Sequence, residues 1–238
     1  INPELCDITE ALVYTEPYND ERGRNRVFPP IADFVKEKLY EDQGLHCEVA
    51  KLKMDFMTRA QSLIHGDLHT GSIFINEEST KVFDPEFCFY GPMGYDIGNV
   101  IANMIFAWAN GDAAGAADFC KWVEDVLVDV INMTKEKMEK YYDEHVTDTM
   151  CKNELYKKYY MDTIIEDTSA VTGLEMIRRI VGMANVKDIT TIADEAKRAR
   201  AEKICITAAI DFIKNRSDKK CGKCFLKTLT DAIAEVDA

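Results

Sequence analysis

The chain has 238 residues, with 29 Lys or Arg against 42 Asp or Glu, so its formal net charge is −13. This balance argues against nucleic-acid binding, which needs a basic patch to displace counterions, and against docking on an anionic membrane. A phosphate-bearing ligand would need positive charge supplied locally by basic side chains or a metal ion. The 8 scattered cysteines and the absence of a signal-peptide pattern predict a cytoplasmic protein with reduced thiols.

Apolar spacing predicts helices in the first part of the chain. The sequence of residues 1–28 predicts loop and a short helix. Pro29-Pro30 then precedes a helical pattern over residues 31–40. A second helix is predicted over residues 48–63. Two short apolar runs, Ile73–Ile75 and residues 81–83, flank a turn cluster and predict a small β-hairpin.

From residue 95 onward the pattern is helical throughout. The predicted helices cover residues 95–108, 113–142, 154–165, 169–183, 189–214 and 225–236. No internal repeat or linker interrupts them. We therefore predict one mostly α domain, residues 1–238, with a small β-hairpin insert.

Acidic motifs lie on both sides of the predicted hairpin. His65-Gly66-Asp67 precedes it and Asp84-Pro85-Glu86 follows it. Loops at the ends of paired strands can present their carboxylates to one point, and such a group needs a cation because like charges raise each other's pKa. Oxygen ligands suit Mg²⁺, and this arrangement is typical of phosphoryl transfer. Either motif alone is more often a turn cap.

The segments IHGDLHTGSIFI and KVFDPEFCFYGPMGYDIGNVIAN resemble the catalytic core of methylthioribose kinases, which belong to the aminoglycoside phosphotransferase and choline kinase group. NPELCDITE near the start and Met176-Ile177-Arg178-Arg179 are also similar to that family. The resemblance implies the C-terminal catalytic lobe of a protein-kinase-like fold. Its catalytic and metal loops would lie in residues 63–98 and its helical substrate-binding part in residues 99–238.

The resemblance implies that ATP phosphorylates the 1-hydroxyl of 5-methylthioribose in methionine salvage. Asp67 would be the catalytic base, Arg178 and Arg179 would bind the sugar together with Asp67, and Asp84 and Glu86 would hold Mg²⁺. His65 and Ser72 are predicted to bind the cofactor. Ser72 stands where related kinases carry an Asn metal ligand, a substitution that the methylthioribose kinases share. The implied partners are the sugar and ATP, with a homodimer as the oligomeric state.

A kinase of this kind also needs a second lobe with a glycine-rich loop and a lysine over the phosphates, and none of the 12 glycines forms such a loop. We therefore expect the N-terminal lobe to be absent from this chain. The isolated chain should then be inactive and should carry an apolar surface where that lobe would pack. Two alternatives stay open: a non-catalytic lobe that binds a sugar or a partner, and a choline or aminoglycoside kinase.

Other side chains leave two interpretations open. His65 and His69 could bind zinc, although bracing hydrogen bonds are the simpler expectation. Asp96 could cap a helix or brace the catalytic loop. Arg178 and Arg179 are neighbours on a helix and point about 100° apart, so both reach one site only near a helix end. The Cys221-x-x-Cys224 pair is predicted to be an exposed, oxidisable loop rather than a metal site.

Overall fold

The computed structural model describes residues 2–238, so Ile1 lies outside it, and these residues form a mostly helical fold. The helices are α1 (Pro3–Tyr14), α2 (Glu16–Asn19), α3 (Ala32–Val35), α4 (Gln43–Thr58), α5 (Tyr95–Ala114), α6 (Ala117–His145), α7 (Glu154–Val181), α8 (Lys187–Thr190), α9 (Glu195–Lys214) and α10 (Gly222–Val236). The strands are β1 (Ser62–Ile64), β2 (Ile73–Ile75), β3 (Thr80–Val82) and β4 (Phe89–Gly91). Short 3₁₀ or π turns occupy Pro29–Ile31, Lys36–Tyr40, Thr70–Ser72 and Arg216–Asp218. The predicted class, mostly α with a small β insert, is confirmed.

The centre of the fold is α7, which packs between α5 and α9. Every residue from 167 to 177 is buried, including several with hydroxyl groups. Those hydroxyls are satisfied by backbone carbonyls: Ser169 Oγ, for example, donates to the Phe212 oxygen at 2.8 Å. The helix approaches α5 so closely that a Cβ added to Gly98 would lie 2.7 Å from the Thr168 oxygen. This packing fixes the position of the side chains at the C-terminal end of α7.

The strands form two separate antiparallel pairs. The predicted hairpin is confirmed as β2 with β3, in which Ile73 lies opposite Val82. The second pair joins β1 to β4, with Ile64 opposite Phe89, and was not predicted. The 24 residues between β1 and β4 include the hairpin, so this pairing brings the segment before the hairpin next to the segment after it.

The helix predicted over residues 48–63 has the wrong boundaries. It spans Gln43–Thr58, and its start is fixed by Asp42, whose Oδ1 accepts a hydrogen bond from the Leu45 N–H at 2.8 Å. The remainder of the predicted span turns at Arg59 and enters β1. Leu63 continues the helical spacing, but it lies opposite Tyr90 of β4 instead.

Other elements also differ from the predicted ones. The opening, for which loop and a short helix were predicted, contains two helices, α1 and the short α2. The helices predicted at 154–165 and 169–183 are one continuous α7. The predicted helix at 189–214 is divided into α8 and α9. Among the described residues, no helix is both long enough and apolar enough to cross a membrane.

Candidate active site

The His65-Gly66-Asp67 loop begins where β1 ends and packs directly against the loop that follows β3. Gly66 has a φ of +85°, and a Cβ placed on it would lie 2.3 Å from the Phe87 carbonyl oxygen. Only glycine fits such a contact at that φ. His65 Nε2 lies 2.9 Å from the Phe83 carbonyl oxygen. The structure therefore places the two acidic loops side by side, as we expected for loops at the ends of paired strands.

Asp96, in the first turn of α5, braces the loop that carries Asp67. Its carboxylate accepts the backbone N–H of His65 at 2.6 Å and that of Gly66 at 2.9 Å. The helix N-cap position is Gly94, so Asp96 acts as a brace and not as the cap. Burial raises the pKa of Asp96, although the two amide hydrogen bonds oppose that shift. The loop geometry next to Asp67 is thus fixed by a side chain from another element.

Both predicted arginines reach Asp67. Arg178 Nη2 donates to Asp67 Oδ1 at 2.8 Å, and Arg179 Nη2 lies 3.6 Å from the same oxygen. Neighbouring helical residues usually diverge, but these two occupy the last turn of α7, which ends before Gly182. The structure brings together the three side chains that the sequence predicted for sugar binding.

Glu175, which sequence reasoning missed, holds the arginine pair in place. It is 1% exposed and bridges both guanidinium groups, with Arg179 Nε donating to Oε1 at 2.8 Å and Arg178 Nε bound to Oε2. Burial alone would raise the pKa of Glu175, but Arg178 and Arg179 outweigh burial and lower it. The i+3 and i+4 spacing of the arginines was a signal that could have identified this residue.

One oxygen of the Asp67 carboxylate accepts no hydrogen bond from the residues that the structure describes. The Asp67 side chain is 29% exposed, and its Oδ2 lies 4.0 Å from His69 Nε2, beyond hydrogen-bond distance. Burial lowers the pKa of Arg178, but Glu175, Tyr95 and Asp67 raise it more, so the guanidinium stays charged. The site therefore combines a carboxylate that can accept a proton with fixed positive charge beside it, which suits the transfer of an anionic group to a hydroxyl.

His69 and Ser72 support the far side of this loop. Ser72 is 3% exposed, and its Oγ lies 3.3 Å from His69 Nε2, while His69 Nδ1 accepts the Gly71 N–H at 3.1 Å. Together with the contact between His65 and Phe83, these are the bracing hydrogen bonds expected for the histidines. The assignment of His65 and Ser72 to a cofactor stays a prediction.

The Asp84-Pro85-Glu86 loop carries the predicted metal ligands and is the more open of the two loops. Both carboxylates are exposed. Asp84 has a φ of +66°, which costs a non-glycine residue roughly 1–2 kcal/mol and is a reason to suspect a function. Within residues 2–238, no three His, Cys, Asp or Glu side chains are grouped closely enough to hold a metal ion. The expected convergence of Asp67, Asp84 and Glu86 on one point is therefore not preassembled.

The braced carboxylate, the fixed arginine pair and the adjacent acidic loop define a candidate phosphotransferase site. The model of the phosphotransferase enzyme family known as APH matches residues 2–127, more than half of the chain. The chain belongs to that family.

Among curated proteins, the chain is similar to several methylthioribose kinases. It is 38% identical to methylthioribose kinase 1 of Oryza sativa subsp. japonica, over 90% of this chain and 54% of that protein. It is 36% identical to the enzyme of Bacillus pumilus (strain SAFR-032), over 90% and 52%, and 35% identical to that of Geobacillus sp. (strain WCH70), over 98% and 58%. The resemblance read from the motifs is confirmed. The chain spans about half the length of the curated relatives it matches.

Proposed function

We propose that this chain is the catalytic part of a kinase that transfers the terminal phosphoryl group of ATP to the 1-hydroxyl of 5-methylthioribose. The observation that carries the proposal is the contact of Arg178 and Arg179 with the Asp67 carboxylate, held in place by Glu175. The names of the related proteins supply the substrate. The wider family phosphorylates other hydroxyls, so the geometry alone supports only a kinase that acts on a hydroxyl group. The names of the relatives favour methylthioribose as the acceptor.

In this proposal Asp67 orients the sugar hydroxyl and accepts its proton. The oxygen left for the sugar hydroxyl is Oδ2, since Oδ1 already accepts a hydrogen bond from Arg178. An anomeric hydroxyl is more acidic than an ordinary alcohol, so the main task of Asp67 is alignment, with late proton transfer. The loop brace from Asp96 keeps the carboxylate in a fixed position for this step.

Arg178 and Arg179 bind sugar hydroxyls and stabilise charge on the transferring phosphoryl group. Their guanidinium groups are planar forks that match phosphate oxygens, and Glu175 orients them before the substrate arrives. In a chain with a net charge of −13, this pair supplies the local positive charge that an anionic cosubstrate requires.

The Asp84-Pro85-Glu86 loop fits Mg²⁺ in the chemistry of its donors. Mg²⁺ commonly takes one or two carboxylates and completes its coordination with water and phosphate oxygens, so an exposed pair of carboxylates is a sufficient protein contribution. Asp84 and Glu86 would hold the ion, which would neutralise charge on the nucleotide phosphates. Asp67 remains outside that ligand set in this proposal.

We also propose that catalysis requires sequence corresponding to the other half of the relatives. The two strand pairs beside the site and Phe83, the residue after β3, expose a set of large apolar side chains: Leu63, Phe74, Ile75, Val82, Phe83 and Tyr90. Phe74 and Phe83 stack on each other at 4.4 Å between ring centroids. An apolar patch next to a site usually marks a contact surface, and a nucleotide-binding lobe is the occupant that the kinase proposal requires.

The test compares the 238-residue chain with a fusion that places the N-terminal half of a methylthioribose kinase before it. Each is incubated with Mg²⁺-ATP and 5-methylthioribose, and the 1-phosphate is measured by phosphorus NMR and mass spectrometry. We expect product from the fusion only. Choline and an aminoglycoside serve as competing acceptors, and preferential phosphorylation of either would contradict the proposed substrate.

A binding measurement keeps the proposal testable if the fusion folds poorly. Calorimetric titration of the chain with 5-methylthioribose should detect binding that Arg178→Lys or Arg179→Lys weakens, because lysine keeps the charge but loses the planar fork. Lys203→Arg, a change on α9, is the control and should leave binding unchanged. Unaltered binding in both arginine variants would remove the arginines from the sugar site.

A further inference from the structure

Cys221 and Cys224 lie together at the start of α10. Cys221 is the N-cap residue, Cys224 is in the first turn, and their Sγ atoms are 3.0 Å apart. Both side chains are partly exposed. A disulfide needs an S–S distance of about 2.0 Å, so a small side-chain movement is enough to join these sulfurs.

The backbone that carries the two cysteines is firmly anchored. A Cβ placed on Gly222 would lie 2.3 Å from the Val128 carbonyl oxygen of α6, so this turn touches the neighbouring helix directly. The Gly222 N–H also donates to Asn132 Oδ1 at 3.0 Å. The two thiols are therefore held near each other by packing that does not involve the sulfurs, and such pre-alignment favours ring closure over reaction with two separate partners.

The surroundings favour a reactive thiolate. Burial alone would raise the pKa of Cys224, but contacts with the Cys221 thiol and the backbone of Lys220 and Cys221, together with the charge of Lys219, lower it. A thiolate at a helix N-terminus is also stabilised by the helix dipole. Lys223, which stands between the two cysteines, is exposed and adds positive charge that attracts an anionic reagent.

We propose that Cys221 and Cys224 form a redox-active dithiol that small anionic disulfides, such as glutathione disulfide, oxidise to an intramolecular disulfide. The Cys224 thiolate attacks one sulfur of the reagent, whose S–S bond breaks and releases one thiolate. Cys221 then loses its proton to solvent and attacks the Cys224 sulfur of the mixed disulfide, which releases the second thiolate. Two protein thiols are oxidised and one disulfide is reduced to two small thiols.

The test uses the reduced 238-residue chain incubated with glutathione disulfide, then alkylated and digested with trypsin. Trypsin cleaves after Lys220, Lys223 and Lys227, so the two cysteines separate into different peptides unless a disulfide joins them. We expect residues 221–223 linked to residues 224–227, with a loss of 2 of the 8 thiols. Dithiothreitol should restore both, and Cys47, an exposed thiol on α4, should react at least about tenfold more slowly.

Single variants separate the two steps. Cys221→Ser should accumulate a glutathione mixed disulfide at Cys224, because the resolving thiol is gone, whereas Cys47→Ser should oxidise at the pair as the wild type does. The proposal is overturned if the wild type accumulates mixed disulfides at the pair, if Cys47 reacts as fast, or if the only disulfides formed join two chains. The measurement involves no kinase activity, so its result does not depend on the proposed function.

Discussion

The two acidic loops of the candidate site are adjacent, yet they are supported very differently. The loop of Asp67 is braced by Asp96, and its carboxylate meets arginines that Glu175 holds in a buried setting. The loop of Asp84 and Glu86 is exposed, and within residues 2–238 no third carboxylate joins the two to complete a metal site. We infer that the first loop carries groups that are aligned before a substrate binds, and that the second carries groups that a ligand would arrange.

The largest expected effect is in the preorganised loop. Asp67→Asn keeps the side-chain shape but removes the proton acceptor, so kcat in the active fusion should fall by about 10²–10⁴-fold. The thermal unfolding temperature should change little, since Arg178 and Arg179 keep their contacts with Glu175. Steady-state kinetics and thermal unfolding of the same preparations give both values. A kcat close to that of the wild type would contradict the assignment of Asp67.

In the open loop, Asp84→Ala or Glu86→Ala should lower kcat/KM by about 10²-fold through loss of a charged oxygen ligand. The Glu86 side chain is exposed, so Glu86→Ala should leave stability unchanged, whereas Asp84→Ala should lower it slightly because alanine tolerates a φ of +66° less well than aspartate. Raised Mg²⁺ should recover part of the activity in both variants. Glu78→Ala, in the exposed turn of the hairpin, is the matched control and should behave as the wild type. Loss of activity with an unchanged Mg²⁺ dependence would indicate that these residues do not bind the metal.

A third substitution tests whether Glu175, which holds the arginine pair, contributes to stability and activity. Glu175→Gln leaves two guanidinium groups without their buried counter-charge, so we expect a stability loss of about 3–5 kcal/mol. Where the variant is still folded, kcat/KM should fall by about tenfold, with a rise in KM for the sugar as the arginines lose their orientation. Chemical denaturation and kinetics at low temperature provide the two measurements.

Glu202→Gln is the control for that prediction. Glu202 is also a buried glutamate on a helix and accepts from Arg198 at 2.8 Å, but it lies on α9 and has a different arginine partner. Its substitution should leave kcat/KM unchanged. Equal kinetic losses in the two variants would mean that Glu175 acts only through stability.

Sequence reasoning identified residues that belong to local patterns and missed those defined by contacts across the fold. The hairpin of β2 and β3 could be predicted because its strands and turn are consecutive. Strand β1 could not, since Ser62 and Leu63 fall within the span that the helical spacing predicts and become part of a strand only through pairing with β4. In the same way, Asp67 and the arginines were visible as motifs. The sequence left two roles open for Asp96, and the choice between cap and brace depends on its hydrogen bonds to amides 30 and 31 residues earlier.

The last expected effect is a pH dependence of stability, and it concerns the ion pair that joins the chain before β1 to α7. Asp167 is 7% exposed and pairs with Arg59, yet burial raises its pKa to about 7 despite that partner. A carboxyl whose pKa is higher in the folded state stabilises the fold fully at low pH, and this contribution is lost as pH rises from about 4 to about 7. The free energy of unfolding of the wild type should therefore fall relative to that of Asp167→Asn across this range, by up to about 1.4 kcal/mol per pH unit.

Urea denaturation at several pH values measures the difference, with Asp129→Asn, an exposed change on α6, as the control that should show no such trend. A difference that does not vary with pH would mean that Arg59 keeps Asp167 ionised throughout, so the junction of α4 and α7 would be a permanent ion pair rather than a titrating one.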